Sequence, residues 1–266
     1  MIDYWHKQTK REPIFPDVIW SKPERRDQVG KLAVIGGSNS GFAVMARAYN
    51  TIKNIGSPSI RLIMPDSLRR KIPAALIATV DEIQFTPSNP SGSFSMKSLN
   101  YFQAASSWSD NILLIGDSSA NSETAGLIET FITNDSESKF TIARDAVDLI
   151  INYSEAILNR PKTNLVVSLN QLQKLARSVY YPKIISFSLK IKQIVEILHK
   201  FTITYGATIT LFWDNHLIVA HSGEVYTMEF SDPLKVWSGE IASAISVWSV
   251  WQNDPVKANL AAFLDL

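Results

Sequence analysis

The chain has 266 residues, 26 Lys and Arg against 25 Asp and Glu, and a formal net charge of +1, so no global field recommends a polyanionic partner such as nucleic acid. There is no cysteine, which excludes disulfides, thiolate metal sites and a cysteine nucleophile. With 45% hydrophobic and 19% charged residues the chain can build one large core, and the length suits a single α/β unit better than two small ones.

The N-terminal stretch is polar, basic and broken by Pro13, Pro16 and Pro23. It reads as an irregular arm over residues 1–29, with Ile14, Phe15, Ile19 and Trp20 as docking points, and residues 30–266 read as one domain. The run Lys31 to Ile35 is a short apolar strand that ends in Gly36-Gly37-Ser38. Phe42, Met45, Ala46 and Tyr49 then recur at helical spacing. Ile60 to Met64 before Pro65, and Asn111 to Ile115 before Gly116, predict two more strands, the second followed by a helix through Leu127, Ile128 and Phe131. Phe140 to Ala143 and Asn164 to Val167 continue the alternation, and Ser186 to Lys200 reads as an amphipathic helix with Ile191, Ile194, Val195 and Leu198 inward. Strands alternating with helices imply a mainly parallel sheet covered on both faces. Toward the C-terminus Thr208 to Trp213, Leu217 to His221 and Glu224 to Phe230, separated by Asp214-Asn215 and Ser222-Gly223, predict a β-meander. A buried helix over 241–251 follows, and a last one starts at Pro255 behind Asp254 as N-cap.

The four histidines, His6, His199, His216 and His221, have no metal-ligand spacing, so no protein metal site is expected. The charge-free runs near 201–213 and 241–253 carry polar residues and fall short of the roughly 18 apolar residues of a membrane span. The first residues hold no apolar signal core, and a cytoplasmic protein without a membrane partner is the expectation. In an open α/β sheet ligands bind outside the carboxyl ends of strands, which directs attention to the loops after residues 35, 115, 143 and 206 and to the one before helix 241. By itself Gly36-Gly37-Ser38 matches neither a dinucleotide fingerprint nor a phosphate-binding P-loop. Ser238-Gly239-Glu240 precedes the buried helix, where helix amides meet anions and an acid serves either as a cap or as a base. Trp237, Trp248 and Trp251 read as core or interface residues before an aromatic platform, and Arg69-Arg70-Lys71 as a solvated face before a phosphate grip.

Taken together these pieces resemble the ribokinase-like superfamily, and within it the ADP/ATP-dependent NAD(P)H-hydrate dehydratases, over most of the chain from Gly30 onward. The likeness rests on Gly30-Lys31 through Gly36-Gly37-Ser38 and on Ile60 to Pro65. It continues in Asp110 to Ala120 around Gly116, in Ala143-Arg144-Asp145-Ala146-Val147, in Tyr205-Gly206-Ala207 and in Val236-Trp237-Ser238-Gly239-Glu240. It implies a three-layer α/β/α fold with a mainly parallel central sheet and a β-meander near the C-terminal part. It also implies ADP or ATP, with Mg²⁺ as a candidate cofactor, activating the hydroxyl of an NAD(P)H hydrate. Glu240 would be the base, and the Ser238 and Gly239 amides the anion hole. Gly36, Gly37, Ser38, Gly116 and Asp145 would line the hydrate side, and Gly206 with Tyr205 the nucleotide side. A nucleotide and a dinucleotide would be the small-molecule partners, and such relatives form homo-oligomers.

The sequence departs from the family's pattern at the chemistry. Glu240 stands where the family has Asp, a shift of over ~1 Å that can cost about a hundredfold in rate. Val236 and Trp237 replace small residues, Asp117, Ser118 and Ala120 crowd a glycine loop, and Tyr205 replaces a lysine. Three readings therefore stand: an impaired or diverged dehydratase, an inactive nucleotide-binding or assembly module, and a small-molecule kinase. A cavity beside Gly239 with Glu240 pointing into it would favour an enzyme, and Trp237 filling that space would favour the binding module. A wide groove at Gly36 would separate the dinucleotide substrate from a smaller one.

Overall fold

The computed structural model describes residues 3–56, 58–72, 80 and 82–266. Its strands are β1 (Trp5–Gln8), β2 (Lys31–Gly36), β3 (Ser59–Pro65), β4 (Glu82–Thr86), β5 (Asn111–Gly116), β6 (Phe140–Ala143), β7 (Thr163–Val167), β8 (Thr208–Trp213), β9 (His216–His221) and β10 (Glu224–Glu229). They form one sheet in the order β1-β10-β9-β8-β7-β6-β5-β2-β3-β4. From β8 to β4 every pairing is parallel, while β9 runs antiparallel to both β8 and β10. The meander turns as its residues dictate: Asp214 and Asn215, and then Ser222 and Gly223, all take positive φ, the pattern of tight two-residue hairpin loops.

Buried strands of a parallel sheet carry apolar residues on both faces, and here they divide by alternation. Ala33, Ile35, Ile112 and Leu114 face one core, and Leu32, Val34, Leu113 and Ile115 face the other. Helices α1 (Ala43–Ile55), α9 (Glu240–Trp251) and α10 (Pro255–Leu264) cover the second face. The first is covered by α2 (Leu99–Trp108), α3 (Ser122–Asn134), α4 (Asp145–Leu149), α5 (Ser154–Leu158), α6 (Leu169–Ser178) and α7 (Ile191–Thr204). A one-turn helix, α8 (Pro233–Trp237), leads into α9. The three-layer α/β/α arrangement with a C-terminal meander is the expected one. Helix α9 is buried along 241–249, and its hydroxyls at Ser243, Ser246 and Ser249 are satisfied by carbonyls one turn back at 2.8 Å. Asp254 caps α10 by accepting from the amides of Val256 and Lys257.

Three expectations need correction. The N-terminal stretch is not wholly irregular: Trp5 to Gln8 pair in parallel with Val225 to Met228 and supply an edge strand, with Trp5 Nε1 donating to Thr227 Oγ1 at 2.9 Å. β4 and α2 carry no strong apolar run and escaped the pattern reading. Helix α7 begins at Ile191 rather than Ser186, because Tyr181, Ile185 and Leu189 dock an extended connector onto the core before it. No helix among the described residues is long and apolar enough to cross a membrane.

Candidate functional site

The carboxyl ends of β5, β6 and β7 meet the amino end of α9. Gly116 closes β5 with φ +89°, and its carbonyl accepts from Gly37 N at 2.8 Å, which ties the β2 and β5 ends together. A Cβ at Gly116 would lie 2.0 Å from Asp145 Oδ1, so only glycine lets the carboxylate come this close. Asp145 uses that proximity to accept from the amides of Asp117 at 2.8 Å and Ser118 at 3.1 Å. Both its oxygens therefore hold the 116–118 loop, whose Asp117 and Ser119 carry positive φ. Asp145 is a scaffold for that loop more than a free ligand-side acid.

Arg144 precedes it with φ +58° and ψ −140°, a conformation that costs a residue with a side chain about 1–3 kcal/mol. The strain is held from two sides. Gln171 Nε2 donates to the Arg144 carbonyl at 2.6 Å and to Asp148 Oδ2 at 2.7 Å, and Gln171 is itself fixed by a capping box with Ser168 at the start of α6. The guanidinium donates to the Trp237 carbonyl and pairs with Asp117 Oδ1 at 3.2 Å, with both side chains about three-quarters buried. Among the described residues its buried Nε has no hydrogen-bond partner.

The arginine crosses the entrance to α9. Gly239, the N-cap, has φ +86°, and a Cβ there would come within 2.8 Å of Ile115 Cδ1 and 3.2 Å of Arg144 Cδ. The amides of Ser238 and Gly239, the expected anion hole, donate backward to the carbonyls of Leu234 at 2.8 Å and Val236 at 3.2 Å. They close the turn of α8 and are not presented to a ligand. The first-turn amides of Glu240, Ile241 and Ala242 have no acceptor among the described residues, as helix geometry requires. The Glu240 carboxylate accepts from Ser238 Oγ at 2.9 Å, two residues away.

A cavity of about 340 Å³ opens beside these groups, lined by Asp117, Arg144, Ser168, Gln171, Val236 and Trp237 among others. Glu240 does not line it. Trp237, 61% exposed, forms part of its wall.

The remaining predicted residues lie elsewhere. Gly36, Gly37 and Ser38 do stand at the carboxyl end of β2, where they are closely covered. Ser38 is 1% exposed, a Cβ on Gly36 would strike the Gly116 carbonyl at 2.5 Å, and Asn39 N donates to Gly92 O at 2.8 Å as the 89–93 loop folds over. Tyr205 and Gly206 are at the wrong end of the sheet. They precede β8, where Ala207 N donates to Leu158 O at 2.8 Å, and burial, with Glu155 nearby, raises the pKa of the Tyr205 phenol. The loop at the carboxyl end of β8 is instead Asp214-Asn215. No group of three or more His, Asp or Glu among the described residues is arranged to hold a metal ion. Sequence reasoning passed over Arg144 and Gln171, although Ser168-x-x-Gln171 has the spacing of a capping box.

No family model and no curated protein matches the chain. Solved structures do. A ribokinase-like superfamily protein from Enterococcus faecalis superposes with a TM-score of 0.74 at 14% identity, covering 99% of this chain and 86% of that one. The chain has a ribokinase-like fold. An ADP/ATP-dependent NAD(P)H-hydrate dehydratase from Bacillus subtilis, co-crystallized with ATP/Mg²⁺ and soaked with CoA, gives 0.64 at 13% identity over 94% and 86% of the two chains. A pyridoxal kinase from Staphylococcus aureus, in complex with AMP-PCP and pyridoxal, gives 0.53 at 11% over 88% and 85%. At such identities the ribokinase-like likeness establishes architecture and leaves the reaction to be argued from the site.

Proposed function

We propose that this chain is a catalytically silent ribokinase-fold protein that binds a nucleotide through its phosphates in the cavity at Arg144. One observation carries the reading: the Arg144 guanidinium spans from Asp117 to the Trp237 carbonyl across Gly239, where a transferring phosphoryl group would need open amides and a free base. Phosphoryl transfer is positioning and electrostatic stabilisation. Here the Ser238 and Gly239 amides are spent within α8, Glu240 is turned onto Ser238, and Ser38 of the Gly36 loop is buried. The same features argue against a small-molecule kinase.

Binding is supported by what remains. The Arg144 guanidinium lines the cavity on a backbone held by Gln171, whose two amide protons go to Arg144 O and Asp148, and a planar arginine fork suits phosphate oxygens. The fold's relatives co-crystallized with ATP/Mg²⁺ or AMP-PCP make a nucleotide the favoured phosphate carrier. The acids do not fit a Mg²⁺ ion as they stand, because Asp145 is engaged by two amides, Asp117 by Arg144 and Glu240 by Ser238. ADP and ATP should therefore raise the melting temperature with or without Mg²⁺. Incubation with ATP, Mg²⁺ and hydrated NADH should restore NADH no faster than buffer does. Saturable NADH formation that disappears in Glu240→Ala would overturn the proposal.

A further inference from the structure

The connector between α6 and α7 presents two opposite sides. Val179, Tyr181, Ile185 and Leu189 turn inward onto the core, and Tyr181 Oη donates to the Ile197 carbonyl at 3.3 Å. Tyr180, Ile184 and Phe187 turn outward and are 93%, 85% and 65% exposed. None of the three belongs to either core. Tyr180 closes α6 in the place of a glycine: its φ is +53°, its amide donates to the Arg177 carbonyl at 3.1 Å, and Tyr181 N donates to the Ala176 carbonyl at 2.8 Å. Glycine or asparagine adopts that left-handed backbone at less cost, so the fold does not account for an aromatic ring held in water there.

Charge around these side chains is one-sided. From Arg177 to Lys200 the chain carries Arg177, Lys183, Lys190, Lys192 and Lys200 against one acid, Glu196, a surplus of four positive charges in a protein whose total is +1. All five cations are exposed. Lys200 pairs with Glu196 at 2.8 Å, and the other four have no acidic group within ion-pair distance among the described residues. Lys200 first, and Lys183 and Lys192 after it, hold the Glu196 carboxyl below its ordinary pKa, so three of the cations gather around one point of α7.

We propose that this connector is a docking surface for an anionic lipid bilayer. Tyr180, Ile184 and Phe187 enter the headgroup boundary, and Arg177, Lys183, Lys190 and Lys192 meet the lipid phosphates, their stems lying along the apolar contact. Seven residue steps separate Tyr180 from Phe187, at most about 25 Å, so one flat surface reaches all three apolar side chains. They protrude singly instead of lining a groove, which suits a fluid interface that closes around each of them. A two-fold contact with a second copy would set this excess of positive charge against itself. The proposal runs counter to the expectation of no membrane partner, which rests on the lack of a spanning run; a surface contact needs no spanning helix. It is independent of the Arg144 cavity.

The chain has no cysteine, so Ile184→Cys takes a single environment-sensitive fluorophore, and Asn50→Cys, exposed on α1 over the other face of the sheet, takes the same label as a control. Vesicles of equimolar phosphatidylcholine and phosphatidylglycerol should brighten and blue-shift the label at 184 and leave the label at 50 unchanged, while vesicles of phosphatidylcholine alone should alter neither. Co-sedimentation of the unlabelled protein with the anionic vesicles should weaken at least about tenfold in Tyr180→Gly/Phe187→Ser, which removes two buried apolar contacts from the interface. Glycine suits the backbone at position 180, so that variant keeps its fold, as circular dichroism should show. Absence of binding to the anionic vesicles would overturn the proposal, and so would unchanged binding of the double variant or an equal response at position 50. Binding of a polyglutamate peptide without binding of vesicles would overturn it in favour of an acidic protein partner, and dimerisation that the double variant abolishes would overturn it in favour of a second copy.

Discussion

Gly116→Ala tests the construction of the site most severely. The new methyl group would sit 2.0 Å from Asp145 Oδ1 and 2.9 Å from its Cγ, in a backbone at φ +89°. The left-handed backbone alone costs about 1–2 kcal/mol. The clash cannot be relieved by a small rotation, because the carboxylate is pinned by the Asp117 and Ser118 amides at 2.8 and 3.1 Å. Displacing it sacrifices two charge-assisted hydrogen bonds, each worth about 1.5–3 kcal/mol. A total of at least about 4 kcal/mol follows, at the upper end of single-substitution effects, and corresponds to a melting temperature lower by about 10 °C or more in a chain of this size. Urea denaturation of the wild type, Gly116→Ala, Asp145→Ala and the double variant forms the cycle that measures it. In the Asp145→Ala background the cost of Gly116→Ala should shrink to the backbone share of about 1–2 kcal/mol. An undiminished cost in that background would refute the reasoning.

Other consequences are simpler to read. Gln171→Ala removes the capping box and the bonds to Arg144 O and Asp148, and should cost about 2 kcal/mol in denaturation; a loss under about 0.5 kcal/mol would show that the strained Arg144 backbone has other support. Burial lowers the pKa of His221 below its ordinary 6.5, with Asp254 opposing. Below pH 6.5 the unfolded chain therefore binds a proton that the folded chain refuses, so stability should fall as the pH drops from 6.5 toward the folded pKa. That part of the pH dependence should vanish in His221→Gln, and an unchanged profile would contradict it. Tyr205→Phe should leave ADP affinity unaltered in calorimetry, since Tyr205 lies at the amino end of β8; weakened binding would contradict that placement.

The central strands were legible because a parallel sheet writes itself as short apolar runs ended by glycine or proline. The edges were not. β1 is Trp-His-Lys-Gln, and what makes it a strand is a partner more than 200 residues away. At the site, order along the chain brought Gly116, Asp145, Gly239 and Glu240 to one end of the sheet, where the structure places them. Residue type alone does not tell which backbone amides stay open. Asp232-Pro233 carries the same cap signal as Asp254-Pro255 and starts α8, and that helix consumes the Ser238 and Gly239 amides. Tyr205-Gly206 matched a motif by its glycine although it stands before its strand instead of after it. Arg144 owes its position to a positive φ and a carbonyl contact nearly a hundred residues away, neither of which is written locally.

The measurement that bears most directly on the account is calorimetric titration of ADP into the wild type and Arg144→Ala, with circular dichroism to show that both are folded. If Arg144 is the phosphate-holding residue of a silent nucleotide site, the wild type binds ADP with one-site saturation and Arg144→Ala binds at least about tenfold more weakly, the loss of a charge-assisted hydrogen bond or more. Equal affinity in the two proteins would contradict the account.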